Sequence, residues 1–137
     1  MNYRDIFPLA ENAPDLVKSP TGKSLAELTV EGIMAGDVTQ ADLAITPEAL
    51  HLQAEIADAA GRHALAENFR RAAELVNVPQ DVLMETYDML RPGRSSLQSL
   101  LERAEMFRRK FDAVKIAAFI EEAATVYERR GIFAKRY

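Results

Sequence analysis

Between Thr46 and Gly131, apolar side chains recur three and four positions apart, and nowhere in the chain do they alternate with polar ones over a strand's length. A chain patterned this way hides its apolar atoms by packing helix on helix, so the expected fold is all-α. Composition agrees: 22 alanines stand against six glycines and six prolines, favouring the residue that costs least in a helix. With 137 residues the chain is expected to form one compact helical domain over residues 25–137, of about four to five main helices. Residues 1–24 read separately, as an extended arm punctuated by Pro8, Pro14 and Pro20. The arm still carries Ile6, Phe7, Leu9, Leu16 and Val17, more apolar matter than a disordered tail holds. It is laid either against another subunit or back on its own domain.

Local signals place the helices. Residues 25–44 read as two short helical turns parted by Gly36, with Leu25, Leu28 and Ile33 as a small apolar face. Thr46-Pro47-Glu48 combines an N-cap hydroxyl, a first-turn proline and an acid suited to the helix dipole. The stripe Leu52, Ile56, Ala59 then changes phase to Leu65, Phe69, Ala72, Val76, and Gly61 between them predicts a kink or two consecutive helices. Pro79 opens the next helix, with Val82, Leu83, Thr86, Tyr87 and Leu90 facing inward. Arg91-Pro92-Gly93-Arg94 breaks it, and Ser95 with Gln98 matches a capping box for a helix carrying Leu97, Leu100, Leu101, Ala104, Phe107 and Phe111. Asp112 is expected to cap a last helix that ends at Gly131. That helix bears Ile116, Ile120, Ala123 and Tyr127 plus a flanking strip, Phe119 and Val126, wide enough for a central core helix or one that meets a partner.

Little in the sequence points to chemistry. There is no cysteine, so disulfides, thiolate metal sites and a cysteine nucleophile are excluded. No apolar run approaches the length of a membrane span, and Asp5 and Glu11 argue against a signal peptide. Thr21-Gly22-Lys23-Ser24 resembles the end of a phosphate-binding loop, but Val17 stands where the motif needs its first glycine, so a turn is expected. His51 and His63 sit about 18 Å apart if on one continuous helix, too far to share an ion. Glu121 and Glu122 point about 100° apart on a helix, and Glu85 with Asp88 read as a solvated face. Ser95 and Ser96 lack a nucleophile elbow.

Charge is divided unevenly. Residues 1–90 hold 6 basic and 15 acidic side chains, whereas residues 91–137 hold 11 and 6, within an overall −4. The basic stretch Arg91, Arg94, Arg103, Arg108, Arg109, Lys110 has phenylalanines beside it, but Phe107 and Phe111 belong to the buried stripe and are not free to stack on bases. Protein contact is therefore favoured over nucleic acid. A stand-alone helical module that binds protein or nucleic acid, without enzyme activity, is the alternative to a subunit role.

Several ordered strings resemble a known family. Ile45-Thr46-Pro47-Glu48, Leu52-Gln53-Ala54-Glu55-Ile56-Ala57, Asn68-Phe69-Arg70-Arg71-Ala72-Ala73-Glu74-Leu75, Leu90-Arg91-Pro92-Gly93-Arg94-Ser95-Ser96 and Ala117-Ala118-Phe119-Ile120-Glu121-Glu122-Ala123-Ala124 are similar to the small subunits of adenosylcobalamin-dependent diol and glycerol dehydratases. Phe7-Pro8-Leu9-Ala10 and Thr21-Gly22-Lys23-Ser24-Leu25 fit the same order. The resemblance covers about residues 7–130.

What the resemblance implies is a three-component lyase, a dimer of heterotrimers of large, medium and small subunits. The large subunit holds the substrate, and adenosylcobalamin is bound by the partner subunits rather than by this chain. The cofactor supplies a radical, and a 1,2-diol such as propanediol, or glycerol, becomes an aldehyde plus water. The resemblance assigns no catalytic, cofactor-binding or metal residue here. The small subunit is expected to brace the large one, with Phe7, Leu9, Phe69, Arg70, Arg71, Arg91, Arg94 and Phe119 as candidate interface residues. The arginines serve equally well as intrachain caps and salt bridges. Neither a nucleic acid nor a membrane is expected as partner. The expected location is the cytoplasm, with a bacterial microcompartment left open, because some diol-type relatives carry a longer N-terminal extension and this chain starts almost directly at the shared arm.

Overall fold

The structure, a computed structural model, describes residues 1–133. It is all-α: seven α-helices and no strand occur among the described residues, apart from one isolated bridge between Lys18 and Ser24. Five of the helices are long, and two short ones precede them. The chain divides into two compact units, Met1–Val76 and Asn77–Tyr137.

The first unit begins with α1 (Leu9–Asn12), a turn of 3-10 helix over Pro14–Leu16, and a tight turn in which the Gly22 amide donates to the Ser19 carbonyl. Another 3-10 turn, Leu25–Glu27, leads to α2 (Val30–Ala35), capped by the Thr29 hydroxyl. Gly32 lies within α2 where Val38 packs: a Cβ there would come within 2.9 Å of the Val38 Cγ2. The unit's main feature is a helical hairpin, α3 (Pro47–Ala59) and α4 (His63–Leu75). Thr46 caps α3 as the sequence predicts, its hydroxyl accepting from the Ala49 amide.

Gly61 resolves into a break between two helices. Its left-handed backbone lets the Gly61 amide reach the Asp58 carbonyl and the Arg62 amide reach the Ala57 carbonyl at 2.8 Å, the paired bonds of a Schellman ending. Where α3 and α4 meet, the buried side chains are small: Ala54, Ala57 and Ala66, with Phe69 packed on their edge. Alanine lets the two backbones approach closely, and this shifts the buried face from the expected one. Ala59, Leu65 and Val76, expected inward, are exposed, while Leu50 and Ala73 are buried.

The second unit holds α5 (Gln80–Met89), α6 (Leu97–Phe111) and α7 (Val114–Arg130). Its centre is Leu100, Phe107 and Ile120, all fully buried and each contributing about 1.5–3 kcal/mol by leaving water. Phe107 and Phe111 lie 5.7 Å apart in a tilted ring contact. Tyr87 departs from expectation: it is 67% exposed, and Thr86 is the buried residue of α5, its hydroxyl donating to the Val82 carbonyl.

Two caps also differ. Ser96, not Ser95, caps α6, exchanging bonds with Ser99, while the Ser95 hydroxyl donates to the Met89 carbonyl at 2.6 Å. Asp112 does not cap α7 with its side chain; it ends α6 in the left-handed region, φ 52°. Gly131 ends α7 as expected. The turn between α5 and α6 is tied to the end of α7, because the Tyr127 hydroxyl donates to the Leu90 carbonyl and the Gly93 amide to that of Ile132. No helix among the described residues is long and apolar enough to cross a membrane.

Candidate subunit interface

A surface made to meet a partner leaves some apolar area uncovered and some polar groups unpaired. Most of the charged groups are used within their own unit. Arg70, on α4, reaches Glu55 and Asp58 of α3 at 2.9 and 2.6 Å and Glu67 of its own helix at 3.0 Å. Hydrogen bonds donated to Asp58, Glu55 and Glu67 hold its guanidinium above the ordinary arginine range. Asp58 is in turn held below the usual carboxylate range, first by His63, whose Nδ1 lies 2.8 Å away, then by Arg70. Arg71 pairs with Asn68.

The segment that resembles a phosphate-binding loop is spent as well. Asp42, buried, accepts from the Thr21 and Ser19 hydroxyls, from the Thr39 amide at 3.0 Å and from Lys23 Nζ at 3.3 Å. These donors, the Thr21 hydroxyl foremost, hold its carboxyl far below the usual range. Thr21-Gly22-Lys23-Ser24 is thus a turn whose lysine is committed to a carboxylate. The same contacts fasten residues 19–23 to the first unit.

In the second unit Arg103 bridges to Glu85 of α5 at 2.9 Å, and Arg108 reaches Glu105 and, across to α7, Glu121 at 2.7 Å. The acidic pairs singled out from the sequence are accordingly divided: Glu121 holds Arg108, Glu122 faces solvent, Glu85 holds Arg103, and Asp88 lies 3.4 Å from Arg91. No group of three or more metal-type ligands gathers among the described residues. His51 stands exposed on α3, and His63 faces Asp58.

The eight candidate interface residues fall into distinct places. Leu9 is 6% exposed and belongs to the core of the first unit. Phe7, 56% exposed, and half-buried Phe69 line one open groove of about 540 Å³ with Gln53, Ile56, Arg62 and Leu65. Phe7 also borders a second groove, about 490 Å³, walled by Val17, Leu25, Leu28, Leu43 and Ile45. Arg70 and Arg71 are engaged on α4 as described. Arg91 and Arg94 are exposed in the turn after α5, and Phe119 is 44% exposed on α7. The sequence reading missed Leu65, taken there as inward, and Arg62, which stands after Gly61 like any surface arginine.

The likeness to known proteins covers this same ground. A family model described as the dehydratase small subunit matches residues 2–134. The propanediol dehydratase small subunit of Citrobacter freundii is 47% identical over 124 residues, 90% of this chain and 72% of that protein. The propanediol dehydratase small subunit of Salmonella typhimurium (strain LT2) matches with the same identity and the same coverage. The aligned stretch is long enough to hold both helical units, so the arginine clamps, the caps and the grooves all lie in a protein that belongs to the dehydratase small subunit family.

Proposed function

We propose that this chain is a structural subunit of a diol dehydratase, a hydro-lyase, and that it braces the enzyme rather than performing its chemistry. The observation that carries the reading is the 47% identity, across 90% of the chain, to two propanediol dehydratase small subunits. The physical picture supports it: Glu85 and Glu121, one from each acidic pair, hold Arg103 and Arg108 between helices, while Phe7, Leu43 and Ile45 are exposed.

The partners in this reading are a large and a medium subunit, assembled as a dimer of heterotrimers in the cytoplasm or in a microcompartment. The candidate contacts are Phe7, Phe69, Arg91, Arg94 and Phe119, with Leu9, Arg70 and Arg71 holding the surface behind them. Adenosylcobalamin, bound by those partners, supplies the radical that starts removal of water from propanediol or glycerol. What this chain contributes is rigidity. The Arg70 clamp fixes α3 against α4, and Arg108 fixes α6 against α7.

Co-expression with the other two subunits, followed by affinity capture on this chain, tests the reading. A complex retaining both, which converts a diol to an aldehyde only when adenosylcobalamin is added, is the expected result. Recovery of this chain alone, with full activity in the other two subunits, would overturn it.

A further inference from the structure

The geometry points to the groove between Phe7 and Phe69 as the seat of one partner segment: a stretch of another dehydratase subunit that offers an apolar side chain and, close by, a carboxylate. This rests on the reading of the chain as a dehydratase subunit and adds where it is gripped and by what chemistry. Three features of the groove carry it. Its walls are apolar and open, with Phe7 56% and Leu65 38% exposed and Phe69 half-buried, as in the aromatic-lined pockets that anchor protein interfaces. Its two polar members are unspent: the Arg62 guanidinium has no ion pair among the described residues, and the Gln53 amide, half-buried, has no hydrogen bond among them.

The third feature is charge. Residues 1–76 hold 12 acidic and 6 basic side chains, so cations in this unit are scarce and carboxylates plentiful. Arg70 takes three of those carboxylates and Lys23 takes Asp42; Arg4, Lys18 and Arg62 have no ion pair among the described residues, and of these three Arg62 alone lines the groove. An arginine left unpaired at the rim of an apolar groove, in an acid-rich unit, is matched to a carboxylate from outside. Its planar fork then orients the incoming segment while the apolar side chain fills the space between the phenylalanines. Gln53 is placed to bond the segment's backbone.

The test uses the enzyme co-expressed with all three subunits. A photoreactive phenylalanine analogue at position 65 should cross-link to a peptide of another subunit that carries Asp or Glu within one helical turn of the attachment point. Arg62→Glu should weaken assembly by roughly 30-fold or more, the scale of breaking a buried charge pair. A glutamate there suits the start of α4, so the loss would not come from unfolding, and an unchanged melting temperature of the isolated chain confirms that. Met34→Asp, on the outer face of α2 and 82% exposed, should leave assembly unchanged.

If the unaltered chain joins no subunit, the functional reading itself fails. If it joins them but Arg62→Glu assembles equally well, the groove is not the seat. A cross-link found only between two copies of this chain, or none in an intact complex, overturns the proposal too.

Discussion

Replacing Gly32 by alanine sets two effects of known size against each other. Glycine inside a helix costs about 0.5–1 kcal/mol relative to alanine, so helix propensity alone says the substitution stabilises. The structure says otherwise. The new Cβ would sit 2.9 Å from Val38 Cγ2 and 3.3 Å from both the Glu27 carbonyl oxygen and the Thr29 hydroxyl. Val38 is buried and β-branched, so its methyl is not the loose end of a flexible side chain; relief requires an off-rotamer χ1 or a backbone shift. Thr29 is pinned as the cap of α2, and the Gly32 carbonyl accepts from both Asp37 and Val38, so the backbone is held as well. Overpacking of this kind costs about 1–3 kcal/mol, which exceeds the propensity gain and leaves a net loss of about 1 kcal/mol. For a chain of this length that is a fall in melting temperature of about 3–5 °C. Urea unfolding followed by far-ultraviolet circular dichroism measures it, with Gly32→Ala, Val38→Ala and the double variant forming a cycle. The clash predicts that Val38→Ala rescues part of the loss, a coupling of at least about 0.5 kcal/mol. A higher melting temperature for Gly32→Ala, or strictly additive effects, would refute the close approach of α2 to Val38.

Further outcomes follow from the clamps and caps. Arg70→Met should lower stability by about 1 kcal/mol at low salt and by less at high salt, because the clamp is partly exposed and screened; melting curves across a salt series read this out. Asp42, whose carboxyl is held low in the folded chain, contributes stability that is fully present above the carboxyl's unfolded value, near pH 4, and fades as pH falls below it. The stability gap between the natural chain and Asp42→Asn should therefore be constant from pH 7 to about 5 and narrow steadily below pH 4 in denaturant titrations. Ser96→Ala should cost about 1 kcal/mol as the loss of a helix cap, whereas Gln98→Ala should cost nothing measurable; equal effects would put the cap of α6 elsewhere.

The helices were legible where the chain announces its own turns. Thr46-Pro47, Gly61, Pro79 and Gly131 each act through their immediate neighbours, and each helix end fell where those residues placed it. Facing directions were harder. In α3 and α4 alanine stands on several sides, and a periodicity that weighs alanine with leucine does not show that the close-packed side is the alanine one. Leu65 was read inward for that reason. Ser95 and Ser96 offer the same hydroxyl one residue apart, and only the bond from Ser95 to Met89 decides which is free to cap. The lock on Asp42 joins residues about twenty apart and leaves no local trace. Of the candidate contacts, Phe7 and Phe69 were visible as apolar residues in recognisable strings. That they share a groove with Arg62 comes from packing the N-terminal segment against the hairpin, which no local pattern announces.

The alanines between α3 and α4 also govern how this protein is free to vary. A position with no uncovered surface and a neighbouring backbone in contact tolerates no added methylene, so Ala54 and Ala66 act as fixed spacers that set the width of the hairpin. Leu65 and Arg62 stand on its outside, where a change of size or charge disturbs no spacing. Shape and recognition are thereby written on opposite sides of the same two helices. On the proposed reading of the groove, substitution at Leu65 or Arg62 retunes the grip on a partner while the hairpin that presents them keeps its dimensions.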